Sequence, residues 1–238
     1  MSNSAPGKLP KILLEIAVAS LERALAAERA GAHRLELCAN LEAGGLTPSL
    51  ELIRKVRSAA HLPLHVLVRP RPGNFAYTAD EFARMKEEIA AIRGEGVHGV
   101  VTGVLLPDGS VDKDRSRELV QLAAPLQVTF HRAFDESKNL AAALENVILT
   151  GAHRILTSGG APDAAQGAPA LRKLVQQAGK RIIIVPGGGL HAGNLADVAR
   201  TTGARELHTG LGTVIPYANS DTPAFEAAVR ACLASLRR

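Results

Sequence analysis

The sequence predicts a single TIM, or (β/α)₈, barrel, and three observations predict it. Residues 30–37, 150–157 and 202–209 read AGAHRLEL, TGAHRILT and TGARELHT, near copies of one joint. Each joint follows a helix-like segment and opens an apolar run. Its glycine (Gly31, Gly151, Gly203) stands where a helix C-cap takes the left-handed backbone conformation. Eight such apolar runs alternate with helical segments, and the 238 residues approach the roughly 250 typical of this barrel. A doubly wound sheet usually stops nearer five or six strands and would leave helices without a surface to pack on. No linker or composition shift divides the chain, so one domain is expected over 1–238, with residues 1–10 as a flexible tail.

The strands are expected at 12–17, 33–38, 64–69, 97–102, 126–131, 153–157, 181–186 and 205–209, each too apolar to expose either face. Helix starts lie between them. Ser20 can cap the first helix, and Thr47 followed by Pro48 gives a cap with proline at the first helical position. Thr78 with Glu81 forms a capping box ahead of Phe82 and Met85. Asp112, Asn139 and Asn194 are further caps. A last helix, from about Thr222 to Leu236, is expected to close the ring against the first.

Composition excludes several functional classes. Aromatics are 3% of the chain and the net charge of +5 is spread over helices, so no nucleic-acid surface is expected. Glu15 interrupts the apolar run Ile12–Leu14, far short of a signal peptide's core, and no run approaches the roughly 20 residues of a membrane span. Cys38 and Cys232 match no zinc spacing and no disulfide framework, which suits a reducing cytoplasm.

Strand alternation then sorts the polar residues. A charge aimed at the helices would lie in apolar packing without water, so Glu15 and Glu36 are expected in the lumen. Cys38 shares the side of Glu36. Arg69 ends strand three with Arg71 on the same parity, His131 ends strand five with Arg132 beside it, and His208 lies near the end of strand eight. Thr102 and Ser158 add hydroxyls. These groups converge on the C-terminal mouth, where such barrels keep their active sites. Glu15, Glu36 and His131 are the candidate proton carriers, and Arg69, Arg71 and Arg132 the candidate anion anchors. The turns Gly187-Gly188-Gly189 and Gly210-Leu211-Gly212 follow strands seven and eight, the place of a phosphate site in many barrels. The bland alternatives are plain: either glutamate can be a structural partner of Arg69, and glycines also serve tight turns. Cys232 is expected in the core, His33 and His153 at the far end of the barrel, and His61 in solvent.

Five segments together resemble the CutC family over most of the chain. They are Glu36-Leu37-Cys38 leading to Gly44-Gly45-Leu46-Thr47-Pro48-Ser49, and Arg69-Pro70-Arg71 with Gly73, Phe75 and Tyr77. The others are Val101-Thr102-Gly103-Val104-Leu105 with Gly109 and Asp112, Thr129 through Asp135, and Leu156-Thr157-Ser158-Gly159. The resemblance implies a TIM barrel, a cytoplasmic location, a homodimer or larger assembly, and a link to copper homeostasis. Cys38 is the candidate copper ligand on that basis. The chain departs from the family in carrying Ala17 where relatives often have a cysteine, and a Cu(I) site prefers paired thiolates. Three functions follow: copper handling at Cys38, an enzyme for a small anionic, phosphorylated or sugar-like substrate, or a binding barrel without turnover.

Overall fold

The computed structural model describes residues 12–218 and 221–237; the expected tail at 1–10 lies outside them. Eight parallel strands form the barrel: β1 (Leu13–Val18), β2 (Arg34–Leu37), β3 (Leu64–Leu67), β4 (Gly99–Thr102), β5 (Gln127–Phe130), β6 (Arg154–Thr157), β7 (Ile183–Pro186) and β8 (Glu206–Thr209). The order is β7-β6-β5-β4-β3-β2-β1-β8, and a single parallel bridge between Gly187 and His208 joins the two ends. The helices are α1 (Leu21–Ala30), α2 (Leu50–Ala59), α3 (Ala79–Arg93), α4 (Lys113–Ala123), α5 (Leu140–Thr150), α6 (Ala168–Ala178), α7 (Leu195–Thr202) and α8 (Thr222–Ser235). None is long and apolar enough to cross a membrane.

Local chemistry explains most helix boundaries. Ser20, Asp112 and Asn139 accept backbone N–H groups of α1, α4 and α5, and Thr78 with Glu81 completes its capping box on α3. Gly31, Gly151 and Gly203 end α1, α5 and α7 with φ of 95°, 85° and 74°. Two expectations shift. Ser49, not Thr47, caps α2, because the Thr47 hydroxyl is drawn to the Arg69 backbone and to Glu88, leaving Pro48 outside the helix. Asn194 stands at the start of α7 without capping it; its side chain bridges the His191 N–H and the Gly189 carbonyl. Helix α8 packs against α1, where Arg29 meets Glu226 at 3.0 Å.

The repeated joints have two jobs. At the N-terminal end, His33 Nδ1 accepts the N–H of Leu14 and His153 Nδ1 accepts that of Val128, each at 3.0 Å. They cap the starts of neighbouring strands. The next residue of each joint turns into the lumen: Arg34, Arg154 and, in the third copy, Glu206. Glu206 Oε2 takes Arg34 at 2.7 Å and Arg154 at 2.8 Å. Arg34 also pairs with Glu15, and His65 stands 3.8 Å from that carboxylate. The lumen floor is therefore a chain of ions, and every side chain in it is largely buried.

Removing one member of a buried ion chain leaves its partner charged and dry. Arg34→Met is expected to cost about 3–5 kcal/mol. At roughly 2–4 °C per kcal/mol for a chain this size, the melting temperature falls by roughly 6–20 °C. His65 gives a second test. Burial, only partly offset by Glu15, lowers its pKa from 6.5 to about 4. The unfolded chain takes up that proton first, so stability is intact above pH 6.5 and declines as pH falls toward 4. Urea titrations across that window are expected to show this decline, flattened by up to about 3 kcal/mol in His65→Gln.

Candidate functional site

A cavity of about 330 Å³ opens at the C-terminal mouth. Of the residues singled out from sequence, Glu36, Cys38, Arg69, His131, Arg132, Gly188, Gly189, His208 and Gly210 line it. Five do not. Glu15 lies beneath it, behind His208. Arg71 is spent on Glu81 and on the carbonyls of Pro72, Asn74 and Ala76. Thr102 follows Val101, a lumen residue packed with Cys38 and Leu67, so alternation turns it to the helix side. Ser158 accepts from Arg132 and donates to the Ala161 carbonyl. Gly187 forms the bridge to β8, and a Cβ there would lie 2.5 Å from Leu156.

One half of the cavity carries the acidic groups and His208. Register places Glu15 beside His208 across β1 and β8 and beside Arg34 across β1 and β2. The Glu15 carboxylate takes the His208 Nδ1–H at 2.7 Å, which assigns the tautomer and leaves the other ring nitrogen free of that bond. Burial opposes a charge on Glu15, but Arg34 and His208 outweigh it and hold its pKa below the ordinary range. Burial likewise opposes a cation on His208, yet Glu36 and Glu15 raise its pKa. Glu36 is pushed up, first by burial and then by Glu15. Its Oε1 accepts the Cys38 thiol at 3.3 Å, while its buried Oε2 has no partner and lies 3.7 Å from His208 Nδ1. Burial and the Glu36 carboxylate raise the Cys38 pKa well above the usual thiol value, so it stays protonated.

The other half is cationic. Arg69 is 7% exposed, and no carboxylate among the described residues pairs with it. Its guanidinium donates instead to the carbonyls of Ala43, Gly45 and Gly73, and its Nε has no acceptor. Gly44 leaves room for the guanidinium, since a Cβ there would lie 3.1 Å from Arg69 Nη1, and a Cβ on Gly45 would lie 2.8 Å from Leu67. His131 accepts the Ala133 N–H on Nδ1 at 3.2 Å, so its proton sits on Nε2, which is also buried without a partner. Burial and then Arg69 lower the His131 pKa to about 3, keeping the ring neutral.

Some of these supports were not singled out from the sequence. Phe75 stacks on both cationic-side groups, 4.8 Å from the Arg69 guanidinium carbon and 4.8 Å from the His131 ring. Gly103 makes room for that imidazole, because a Cβ would stand 2.8 Å from Nδ1. Tyr217, from the segment after β8, covers part of the mouth. The motif segments around Phe75 and Gly103 carried a signal for the first two; Tyr217 lies outside every motif.

Glu15, Glu36 and His208 bring three ligand atoms within 4.8 Å of one another, a spacing that a cation could use. Both Glu15 oxygens are already committed to Arg34 and His208, which favours proton handling over metal ligation.

The CutC family profile matches residues 12–213. The family protein CutC of Mesorhizobium japonicum is 49% identical over 196 residues, covering 82% of this chain and 76% of that protein. That of Salmonella schwarzengrund is 48% identical over 204 residues, covering 86% and 82%. The crystal structure of a protein from Streptococcus agalactiae, named as a copper homeostasis protein CutC, superposes with a TM-score of 0.80 at 29% identity, covering 84% of this chain and 98% of that one. An N-(5'-phosphoribosyl)anthranilate isomerase from Pyrococcus furiosus shares the fold alone, at a TM-score of 0.60 and 16% identity, covering 95% and 98%. The profile and two relatives near half identity span most of the sequence, and the chain belongs to the CutC family.

Proposed function

We propose that this chain is an enzyme that moves a proton on a small anionic substrate held in the barrel mouth. The observation that carries this reading is Arg69: a buried cation without a carboxylate partner, lining the same cavity as the Glu36–His208 pair. A buried charge is costly unless paired, and the cavity is the side from which a mobile anion can pair with it. Arg69 and the neutral His131 would hold the anion. Glu15, kept ionised, orients His208 and supports its protonated form. Glu36, with its raised pKa, exchanges a proton with the substrate in a site that excludes most water. Substrate classes consistent with this chemistry are hydroxy or keto acids, sugar acids and sugar phosphates. The cytoplasm and a homodimer or larger assembly remain part of the proposal, the latter tested by light scattering at micromolar concentration.

Copper handling, suggested by the name of the Streptococcus relative, fits this donor set poorly. Cys38 is the one thiol among the cavity residues; Ala17, paired with Glu36 across β1 and β2, adds none, Met85 is in the helix packing and Cys232 is in α8. A Cu(I) site wants thiolates, whereas Cys38 is held protonated.

Two measurements test the reading. Incubating the protein in deuterated water with hydroxy acids, keto acids and sugar phosphates is expected to exchange a substrate C–H, read by NMR. Glu36→Gln should slow exchange by roughly 10²–10⁴-fold with an unchanged melting curve; no exchange on any of these classes would sink the proposal. In a Cu(I) titration against a chromophoric chelator, the wild type is expected to leave the chelator loaded. Stoichiometric capture that disappears in Cys38→Ser would instead establish the copper reading.

A further inference from the structure

Arg69 and the glycine turn after β8 both offer positive potential to this cavity, and the two are unequal. The turn after β8 is where barrels of this kind commonly hold a phosphate. Here two of its donors, the N–H groups of Leu211 and Gly212, are already used within the chain. The Leu211 N–H goes to Thr209 Oγ1 at 3.0 Å. The Tyr217 ring lies directly on the turn: a Cβ on Gly212 would stand 2.5 Å from the ring and one on Gly210 2.6 Å from its hydroxyl. The phenolic oxygen takes the Gly212 N–H. Helix α8 begins only at Thr222, and the Asp221 carboxylate already accepts the Ala224 N–H in its first turn at 2.8 Å. On the β7 side, the cation beside Gly188 is Arg132, which is met by Asp135 at 2.9 Å.

Across the cavity the accounts do not balance. Among the described residues Arg69 has no counter-charge, and its guanidinium reaches beyond the loop carbonyls only to the Tyr77 hydroxyl; its Nε–H and the His131 Nε2–H have no acceptor, and both side chains are more than nine-tenths buried. On the acidic side, Glu36 is equally buried, and its Oε2 has no donor. Buried polar atoms in native proteins overwhelmingly find partners. The missing partner must accept at one end and donate at the other.

We propose that the ligand is a short carboxylate bearing a hydroxyl or ammonium group, and not a phosphate ester. Its carboxylate sits on Arg69 and His131, and its donor group faces the Glu36 Oε2. This rests on the mouth being the anion site proposed above and names its substrate class. Two N–H donors on separate side chains suit the two oxygens of a planar carboxylate, and the charge of Arg69 strengthens the bond. The volume of about 330 Å³ suits a molecule of a few carbon atoms.

The test uses the full chain with glycerate and serine as probes, propionate as the acid lacking a donor, and inorganic phosphate and glycerol 3-phosphate as the alternative anions. Affinities come from saturation-transfer NMR and ligand-dependent melting. Glycerate or serine is expected to bind, propionate at least about tenfold more weakly, and both phosphates more weakly still. His131→Phe keeps an aromatic ring against Phe75 and is expected to weaken the binding probe at least about tenfold; Arg69→Met should abolish it. Three results would overturn the proposal: phosphates binding as tightly as the carboxylates, binding that survives both substitutions, or no carboxylate binding to the folded wild type. The deuterium experiment separates the two readings. Carboxylate binding without any proton exchange would remove the enzymatic reading alone, and exchange confined to phosphate esters would remove the carboxylate assignment alone.

Discussion

The buried contact between Arg34 and the carboxylates of Glu15 and Glu206 is the constraint on which the rest of this barrel depends. Three strands contribute to it, and β6 joins through Arg154. A one-residue slip in any of them would aim a charge at the apolar helix layer, where neither water nor a partner is available. The ion chain thereby locks strand register at the floor. It also sets the chemistry above, because a Glu15 held ionised by Arg34 is what fixes the proton of His208 on Nδ1. The ion chain of the floor and the histidine of the mouth share one carboxylate.

Above that floor, charge is divided by strand position. The acidic groups come from β1 and β2 and the histidine from β8, while the unpaired cation and the neutral imidazole come from the ends of β3 and β5. Such separation has a cost in an unliganded barrel, since Arg69 is satisfied only by carbonyl dipoles. The loops that bear the cost are built around glycine for specific steric reasons: Gly44 leaves room for the guanidinium of Arg69, and Gly103 admits the imidazole of His131. Phe75 holds both groups from one face. The same low-dielectric surroundings would make an anion placed there bind more strongly than it would on a wet surface.

The thiol at Cys38 shows how surroundings override residue type. A cysteine at the mouth of a barrel named for copper invites a metal reading. Burial among Leu67, Val101 and Leu41, with a glutamate as its acceptor, makes it instead a hydrogen-bond donor to Glu36. It keeps one oxygen of that carboxylate occupied and leaves the other without a hydrogen-bond partner.

Much was legible in the chain itself. The eight strands, their alternation with helices and most of the caps follow from apolar runs, from glycine at φ > 0 and from side chains that reach only three residues along the backbone. The lumen placement of Glu15 and Glu36 follows from the cost of burying charge. What only the tertiary structure decided was which charges meet. Strand parity puts Arg71 among the candidates no less readily than Arg69, and its place at a strand end adds the Thr102 hydroxyl. The fold of the loop after β3 then sent Arg71 to Glu81, ten residues on, and the register of β4 turned Thr102 away from the mouth. Arg34, Arg154 and Glu206 stood in plain view inside the repeated joints, but nothing local says that residues 52 to 172 positions apart share one carboxylate. Local preference is written in spacing along the chain; pairing across a barrel depends on the closure of the whole ring, and only the folded molecule brings those partners together.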